Sequence, residues 1–270
     1  MRLDRVVGVL TGATGGIGRP LAHGLATAGM RLILSARDRE RLDALARELP
    51  DGVVADALAG DLARCDVRER LAEHARLHDA RVLVNLCGGN RFGLLPRQPP
   101  ADIDSLVATN LTAPIQLTRA LLPHLQRCNE AMIVNIGSTF GAIGYPGYAV
   151  YCATKFGLRG FSEALARELS DGPVRVVYVA PRATRTAMNS FAATELNAAL
   201  GNAVDPPERV AERIVEAIRN DSRRAGIGWR ERCFARLNQI VPALVDAAIA
   251  RQLATIKSFA FDPDGREGTR

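Results

Sequence analysis

The sequence predicts one doubly wound α/β domain, a parallel sheet with helices on both faces, and three observations carry that expectation. Short apolar runs alternate with helical patterns along the chain, a glycine cluster directly follows the first run, and 270 residues with 47% hydrophobic content suffice for a single core. The runs Val6 to Leu10, Leu32 to Leu34, Val82 to Val84, Met132 to Ile136 and Val174 to Val179 have the look of buried strands. Helical patterns fall near 16–29, 38–48, 66–77, 102–126 and 150–170. Strands spaced by helices in this way imply right-handed crossovers, which place a ligand beyond the carboxyl ends of the strands. The stretch from Pro50 to Asp61 is read as a third strand ending near Asp61. The domain is expected over 1–260, with a substrate lid at about 182–205, a C-terminal extension at about 229–260 and a disordered tail at 261–270.

Composition narrows the class. The formal charge of +6 comes from interspersed arginines, so there is no basic stripe or arm for nucleic acid. Cys65, Cys87, Cys128, Cys152 and Cys233 are odd in number and lack Cys-x-x-Cys spacing, which argues against a disulfide framework or a metal site and for a reducing, cytoplasmic setting. The first residues lack the apolar length and cleavage site of a secretory signal, and no run reaches the length of a membrane span.

After the first strand comes Thr11-Gly12-Ala13-Thr14-Gly15-Gly16-Ile17-Gly18, and a helix follows. Glycines at that junction permit a tight turn and let backbone N–H groups at the helix start approach a pyrophosphate. Gly12, Thr14, Gly16, Ile17 and Gly18 are therefore cofactor candidates. The second strand ends Ser35-Ala36-Arg37, where an enzyme for NAD would usually present an acid to the ribose 2′-hydroxyl. Ala36 stands there, and Arg37 beside it can pair with a 2′-phosphate, so NADP(H) is favoured. Asp38 counts slightly against that choice.

Tyr151 and Lys155 carry the strongest sign of chemistry. Of the 35 basic side chains only Lys155 and Lys257 are lysines, so position 155 selects an ammonium in a chain that otherwise uses arginine. Four residues apart on a helix, the pair shares one face. A neighbouring cation stabilises phenolate and lowers a tyrosine pKa that starts near ~10. Such a tyrosine can serve as a general acid or base.

Together these features resemble the short-chain dehydrogenase/reductase family, in its compact single-domain, Rossmann-like branch, from about Val6 to Asn220. The resemblance implies hydride exchange between a nicotinamide and a carbonyl or secondary alcohol, with an apolar or acyl-type substrate. Asp61 and Leu62 match the pair beside the adenine. Asn85 and Gly88 stand where the family has Asn-Asn-Ala-Gly, with Leu86 and Cys87 as departures that question the usual bracing hydrogen bonds. Ser138, thirteen residues before Tyr151, matches the catalytic serine. Asn110 matches the fourth member of the tetrad, and Pro114, having no N–H, leaves the Asn110 carbonyl without its helical donor. By the same resemblance Lys155 holds the nicotinamide ribose and tunes Tyr151.

Pro181, Thr184 and Thr186 fall where the family touches the cofactor after the sixth strand, but Arg182 replaces its glycine. Arg182 either recognises an acidic substrate group, such as a carboxylate or an acyl phosphopantetheine, or is surface charge. Met188, Phe191 and Leu196 are expected to line the lid, with Phe140, Tyr145 and Tyr148 opposite. In the extension, Cys233, Phe234, Leu237, Val241, Leu244 and Ala248 read as one face of a helix bearing Arg230, Arg236 and Arg251. That face can cover a substrate or a membrane surface, or pack on its own domain or a sister subunit, which is preferred. Family members are commonly homodimers or homotetramers. The alternative activities are reduction of a 3-oxoacyl thioester on a carrier protein and of a lipid ketone at a membrane.

Overall fold

Apolar side chains on both faces of successive strands generate a seven-stranded sheet, all parallel, in the order β3-β2-β1-β4-β5-β6-β7. The computed structural model describes residues 1–261 except 223 and 227. The strands are β1 (Val7–Thr11), β2 (Arg31–Ala36), β3 (Val54–Ala59), β4 (Val82–Asn85), β5 (Ala131–Ile136), β6 (Val174–Ala180) and β7 (Arg224–Gly226). Between them lie helices α1 (Gly18–Thr27), α2 (Arg39–Glu48), α3 (Cys65–Leu77), α4 (Pro100–Val107), α5 (Ala113–Leu125), α6 (Ala149–Glu168), α7 (Phe191–Ala199) and α8 (Pro207–Arg219). The extension forms α9 (Trp229–Ile240), α10 (Pro242–Ala250) and α11 (Leu253–Phe261). The expected disordered tail lies, from residue 262 onward, outside the described residues.

The register explains why the runs are continuously apolar. Val9, Ile33, Leu83, Ile133 and Val176 are paired across neighbouring strands and pack on α3, α5 and α6. The adjoining row, Leu10, Leu34, Val84, Val134 and Val177, faces the opposite way onto α1 and α8. Successive side chains of a strand point to opposite faces, so a sheet covered on both sides needs apolar residues at every position.

The helix expected over 102–126 is divided. Ala113 N–H reaches back to the Ala108 carbonyl, and residues Ala108–Thr112 form a single π-helical turn between α4 and α5. Pro114 lies next to that turn, where it cannot donate to Asn110, and the wider turn absorbs the mismatch. The single amphipathic helix expected in the extension is also broken. Val241 leaves helical geometry at φ −135° and ψ 70°, Pro242 opens α10, and the two helices meet at a bend of 119°. Pro242 has no N–H to continue the ladder, so the proposed common face from Cys233 to Ala248 does not exist. Among the described residues no single helix is long and apolar enough to cross a membrane.

Candidate active site

The loop after β1 is shaped by close backbone contacts. Gly12 has φ +68°, and a Cβ there would sit 3.0 Å from the Cys87 backbone. At Gly18 a Cβ would overlap the Gly12 carbonyl and approach the Ala13 carbonyl to 2.7 Å. Both positions therefore require glycine for steric reasons. The Thr11 hydroxyl accepts from Leu86 N–H and Cys87 N–H at 3.0 Å and donates to the Val84 carbonyl at 3.2 Å, which ties this loop to the end of β4. Ala13 N–H donates to the Ser35 carbonyl, and the Thr14 carbonyl accepts from Arg41. Ile17 stands immediately before α1, where orphan N–H groups gather.

At the end of β2 the Ser35 hydroxyl is fully buried without a hydrogen-bond partner, and Ala36 is buried beside it. Arg37 is exposed and makes no ion pair among the described residues. Asp38, the nearby acid, is committed elsewhere: it caps α2 by accepting from Arg41 N–H at 3.0 Å. Past β3, Asp61 accepts from Ala63 N–H at 2.9 Å, and Leu62 is buried. Arg37, Asp61 and Lys155 all bear electrostatically on the Cys87 thiol, whose pKa burial pushes up. They thus lie around one stretch of the carboxyl edge of the sheet.

Leu86 and Cys87 do not abolish the brace at β4. Asn85 donates to Asn135 at 2.8 Å and to Thr118 at 3.2 Å, and Asn135 passes the chain on to Ser162 at 2.9 Å. All four are buried, so each polar group finds its partner inside. Asn135, Thr118 and Ser162 were missed in the sequence, where polar residues in apolar runs were their only mark.

Asn110 and Lys155 meet at Gly88 and Gly89, while Ser138 and Tyr151 pair with each other and Lys155 lies near the Tyr151 ring. Asn110 accepts from Gly89 N–H at 2.7 Å and returns a bond to its carbonyl at 2.9 Å, while its amide also donates to Thr154 at 3.2 Å. A Cβ at Gly88 would lie 3.2 Å from Asn110 Oδ1 and 3.6 Å from Lys155 Nζ. Lys155 is buried, donates to the Ile136 carbonyl at 3.1 Å and sits 5.7 Å from the centre of the Tyr151 ring. Tyr151 hydrogen-bonds Ser138, whose Oγ also accepts from Phe140 N–H at 3.1 Å.

The protonation states differ from the sequence expectation. Burial pushes the Tyr151 phenol up to about 12, and the Ser138 hydrogen bond offsets only part of that rise. Lys155 falls to about 8, also through burial. Its ammonium lies 5.7 Å from the ring centre, and burial is the largest influence on both groups.

After β6, Pro181 is buried, and its carbonyl accepts from Thr139 N–H at 2.9 Å. Thr184 spends its hydroxyl on the Arg182 carbonyl at 3.0 Å. Thr186 instead reaches the glycine loop, its Cγ2 lying 2.5 Å from where a Gly16 Cβ would stand. Arg182 is neither a substrate-facing cation nor loose surface charge. It grips Asp205 through two bonds of 2.8 Å and contacts Glu231 at 3.3 Å, joining both ends of the lid segment to α9.

The aromatic wall is larger than expected. Phe140 stacks on Tyr145 at 5.1 Å and meets Tyr148 at 5.0 Å, and Phe92 adds a further ring 5.0 Å from Tyr148. Tyr148 lies 6.2 Å and Phe140 6.4 Å from the Tyr151 ring. Of the three residues expected to line the lid only Leu196 joins this cluster, packed with Ala192, Ala193 and, from the extension, Ile256 and Ala260. Phe191 is 68% exposed and Met188 half exposed, so the expected lining is corrected to Ala192, Ala193 and Leu196.

A doubly wound sheet that gathers a glycine loop and a Ser–Tyr–Lys group at its carboxyl edge defines a nucleotide-binding oxidoreductase framework. Residues 6–197 match the family model described as short chain dehydrogenase. The chain belongs to the short-chain dehydrogenase/reductase family. It is 38% identical over 196 residues to the 3-oxoacyl-(acyl-carrier-protein) reductase of Bos taurus, 72% of this chain and 81% of that one. A metagenomic short-chain oxidoreductase in complex with NADP superposes with a TM-score of 0.69 at 32% identity, covering 84% of this chain and 97% of its own. A short chain dehydrogenase/reductase from Burkholderia phymatum in complex with NAD shares the fold, with a TM-score of 0.80, 23% identity and coverage of 90% and 96%.

Proposed function

We propose that this protein is an NADP(H)-dependent reductase or dehydrogenase acting on a carbonyl or secondary alcohol with an apolar or acyl-type body. The observation that carries the reading is the cluster in which Tyr151 hydrogen-bonds Ser138 and has the Nζ of the buried Lys155 5.7 Å from its ring centre. The residues fit a dinucleotide: Gly12 and Gly18 let the loop after β1 close tightly onto the start of α1, where N–H groups can meet a pyrophosphate, and the Ser35 hydroxyl is a buried polar group in want of a partner. Arg37, free of ion pairs among the described residues, supports the 2′-phosphate, because Asp38 is held in its capping role.

The bound nicotinamide supplies the hydride. Ser138 donates to the substrate oxygen, and Tyr151 gives that oxygen its proton in reduction or takes it in oxidation. A phenol held at about 12 is protonated at neutral pH and ready as the acid of reduction. Lys155 makes one hydrogen bond among the described residues, to Ile136, and its remaining donors suit the ribose diol. Asn110 holds the Gly89 backbone through both amide atoms and positions the chain beside the lysine.

Two finer readings share this chemistry. The bovine relative supports a 3-oxoacyl thioester substrate. The apolar surface of α10, where Leu244 is exposed, supports a lipid ketone presented at a membrane. A cytoplasmic homo-oligomer accords with the unpaired cysteines and with Phe156 exposed on α6. Ketones, 3-oxoacyl thioesters and sterol-like alcohols offered with NADPH or NADP⁺, with and without vesicles, test the reading at the nicotinamide absorbance. No turnover of any class would overturn it.

A further inference from the structure

The extension turns from α9 into α10 at an apolar corner. Ile240, Val241, Pro242, Ala243 and Leu244 are consecutive and all exposed, Ile240 at 78% and Leu244 at 58%, where the 119° bend falls. The corner is held from beneath. Val245 and Ile256 are buried, Asn238 donates to the Ala142 carbonyl at 3.0 Å, and Tyr145 donates to Gln252 at 3.3 Å. Cations flank it on both helices. Arg232, Arg236 and Ile240 follow one another at four-residue intervals on the outer side of α9, and Arg251 stands two turns beyond Leu244 on the same flank of α10. Those three arginines and Lys257 are exposed and make no ion pair among the described residues. Over residues 232–261 Asp246 is the only acid against these four cations, and it lies on the opposite flank of α10 from Leu244, across the buried Val245.

We infer that this corner docks the protein on an anionic lipid surface, with Ile240, Val241 and Leu244 entering the boundary between headgroups and acyl chains and Arg232, Arg236 and Arg251 at headgroup level. A single exposed apolar side chain needs no partner, but a run of five at a bend calls for one. Apolar area drives shallow insertion, and the flanking cations attract anionic headgroups. The helices then lie on the surface, since neither is long enough to span it. A second copy of the chain fits the corner less well. A two-fold contact there sets the same arginines of both copies against each other, with Asp246 alone in this segment to offset them. None of these side chains belongs to the Ser138–Tyr151–Lys155 group, so the inference does not depend on the proposed reaction.

Co-sedimentation with two kinds of vesicle tests it, one of pure phosphatidylcholine and one containing about 30% phosphatidylglycerol. The wild type should partition about tenfold more strongly onto the anionic vesicles, and raised salt should weaken that preference. Ile240→Ser combined with Leu244→Ser should lower binding to the anionic vesicles about tenfold, and so should Arg236→Gln combined with Arg251→Gln. All four side chains are exposed, so thermal melts should match the wild type. The wild-type comparison of the two lipids decides even if a variant fails to fold. Equal binding to both vesicles, binding to neither, or a double serine variant that binds as the wild type does overturns the inference. Sedimentation velocity without lipid covers the other occupant: an oligomeric wild type that the serine pair converts to a monomer would assign the corner to a sister subunit and overturn it as well. NADPH turnover of a soluble ketone is measured separately, so vesicle binding without turnover removes the proposed reaction and leaves the docking surface standing, and turnover without vesicle binding does the reverse.

Discussion

Arg182 and Asp205 form a two-bond ion pair, each bond 2.8 Å long, that closes residues 182–205 into a loop. The backbone reinforces it: Asp205 N–H donates to Ala183, and Arg185 N–H donates to Asp205. Glu231 on α9 shares the guanidinium, so the cofactor-side loop, the lid and the extension meet at one cation. The charge that the sequence offered as a substrate contact is used to hold the wall of the site together.

Arg182→Met should therefore destabilise the protein by about 3 kcal/mol, because the Asp205 carboxylate, only 3% exposed, loses both short bonds and keeps only Arg209, 3.9 Å away, as a cation. Arg182→Met combined with Asp205→Asn should recover much of that loss. Urea midpoints of the three proteins measure the coupling. Arg182→Gly should lower kcat/KM equally for acidic and neutral ketones of similar size, and a selective loss on acidic substrates would return Arg182 to the substrate chamber.

Tyr151→Phe should lower kcat by roughly 100-fold or more while leaving NADPH affinity nearly unchanged, because it removes a proton donor and nothing from the glycine loop. Lys155→Arg should be severely impaired as well. Nζ lies against the Ile136 carbonyl at 3.1 Å and close to Gly88, a space that does not admit a planar guanidinium. Steady-state rates and fluorescence titration of NADPH check both.

The elements with the simplest physics were the ones legible in the sequence. Strands such as Leu32 to Leu34 are apolar throughout because both faces are covered, and the glycine loop is legible because Gly12 and Gly18 have no steric alternative. The pattern that failed was the extension, where the apolar spacing continued smoothly through Pro242 and hid a bend of 119°. Helix α8 was overlooked although Pro207, Val210, Ile214 and Ile218 mark its start and buried face. The role of Arg182 was not legible, because its partners Asp205 and Glu231 lie in segments whose approach depends on the whole fold. The tyrosine's protonation also depended on burial, which a spacing of four residues does not report.

Cofactor choice should follow Arg37. NADPH should bind more tightly than NADH, and Arg37→Leu should remove a charge-assisted contact to the 2′-phosphate of roughly 1.5–3 kcal/mol. Adding Ala36→Asp should reverse the order, since the new carboxylate repels the phosphate and accepts from a ribose hydroxyl. Asp38 should not substitute for it while it caps α2. Titration of both nucleotides into wild type and double variant decides the matter, and equal affinities in the wild type would remove the argument.

Lys155 also predicts how the unliganded protein responds to alkali. Its pKa is about 8 in the folded chain against an ordinary 10.5, so below pH 8 both states carry the proton and the folded state bears the full burden of a buried ammonium. Between those values the unfolded chain holds a proton that the folded chain has released, and stability rises with pH across that window. Tyr151, raised to about 12, acts in the opposite sense only above its ordinary value of 10, where the folded state retains the extra proton. Lys155→Met lacks the lysine contribution but keeps the other buried groups, including Cys152. The melting temperature of Lys155→Met minus that of the wild type should therefore shrink as pH goes from about 7.5 to about 9.5. A difference that stays constant over that range would mean that Lys155 keeps an ordinary pKa and that its burial imposes no electrostatic cost.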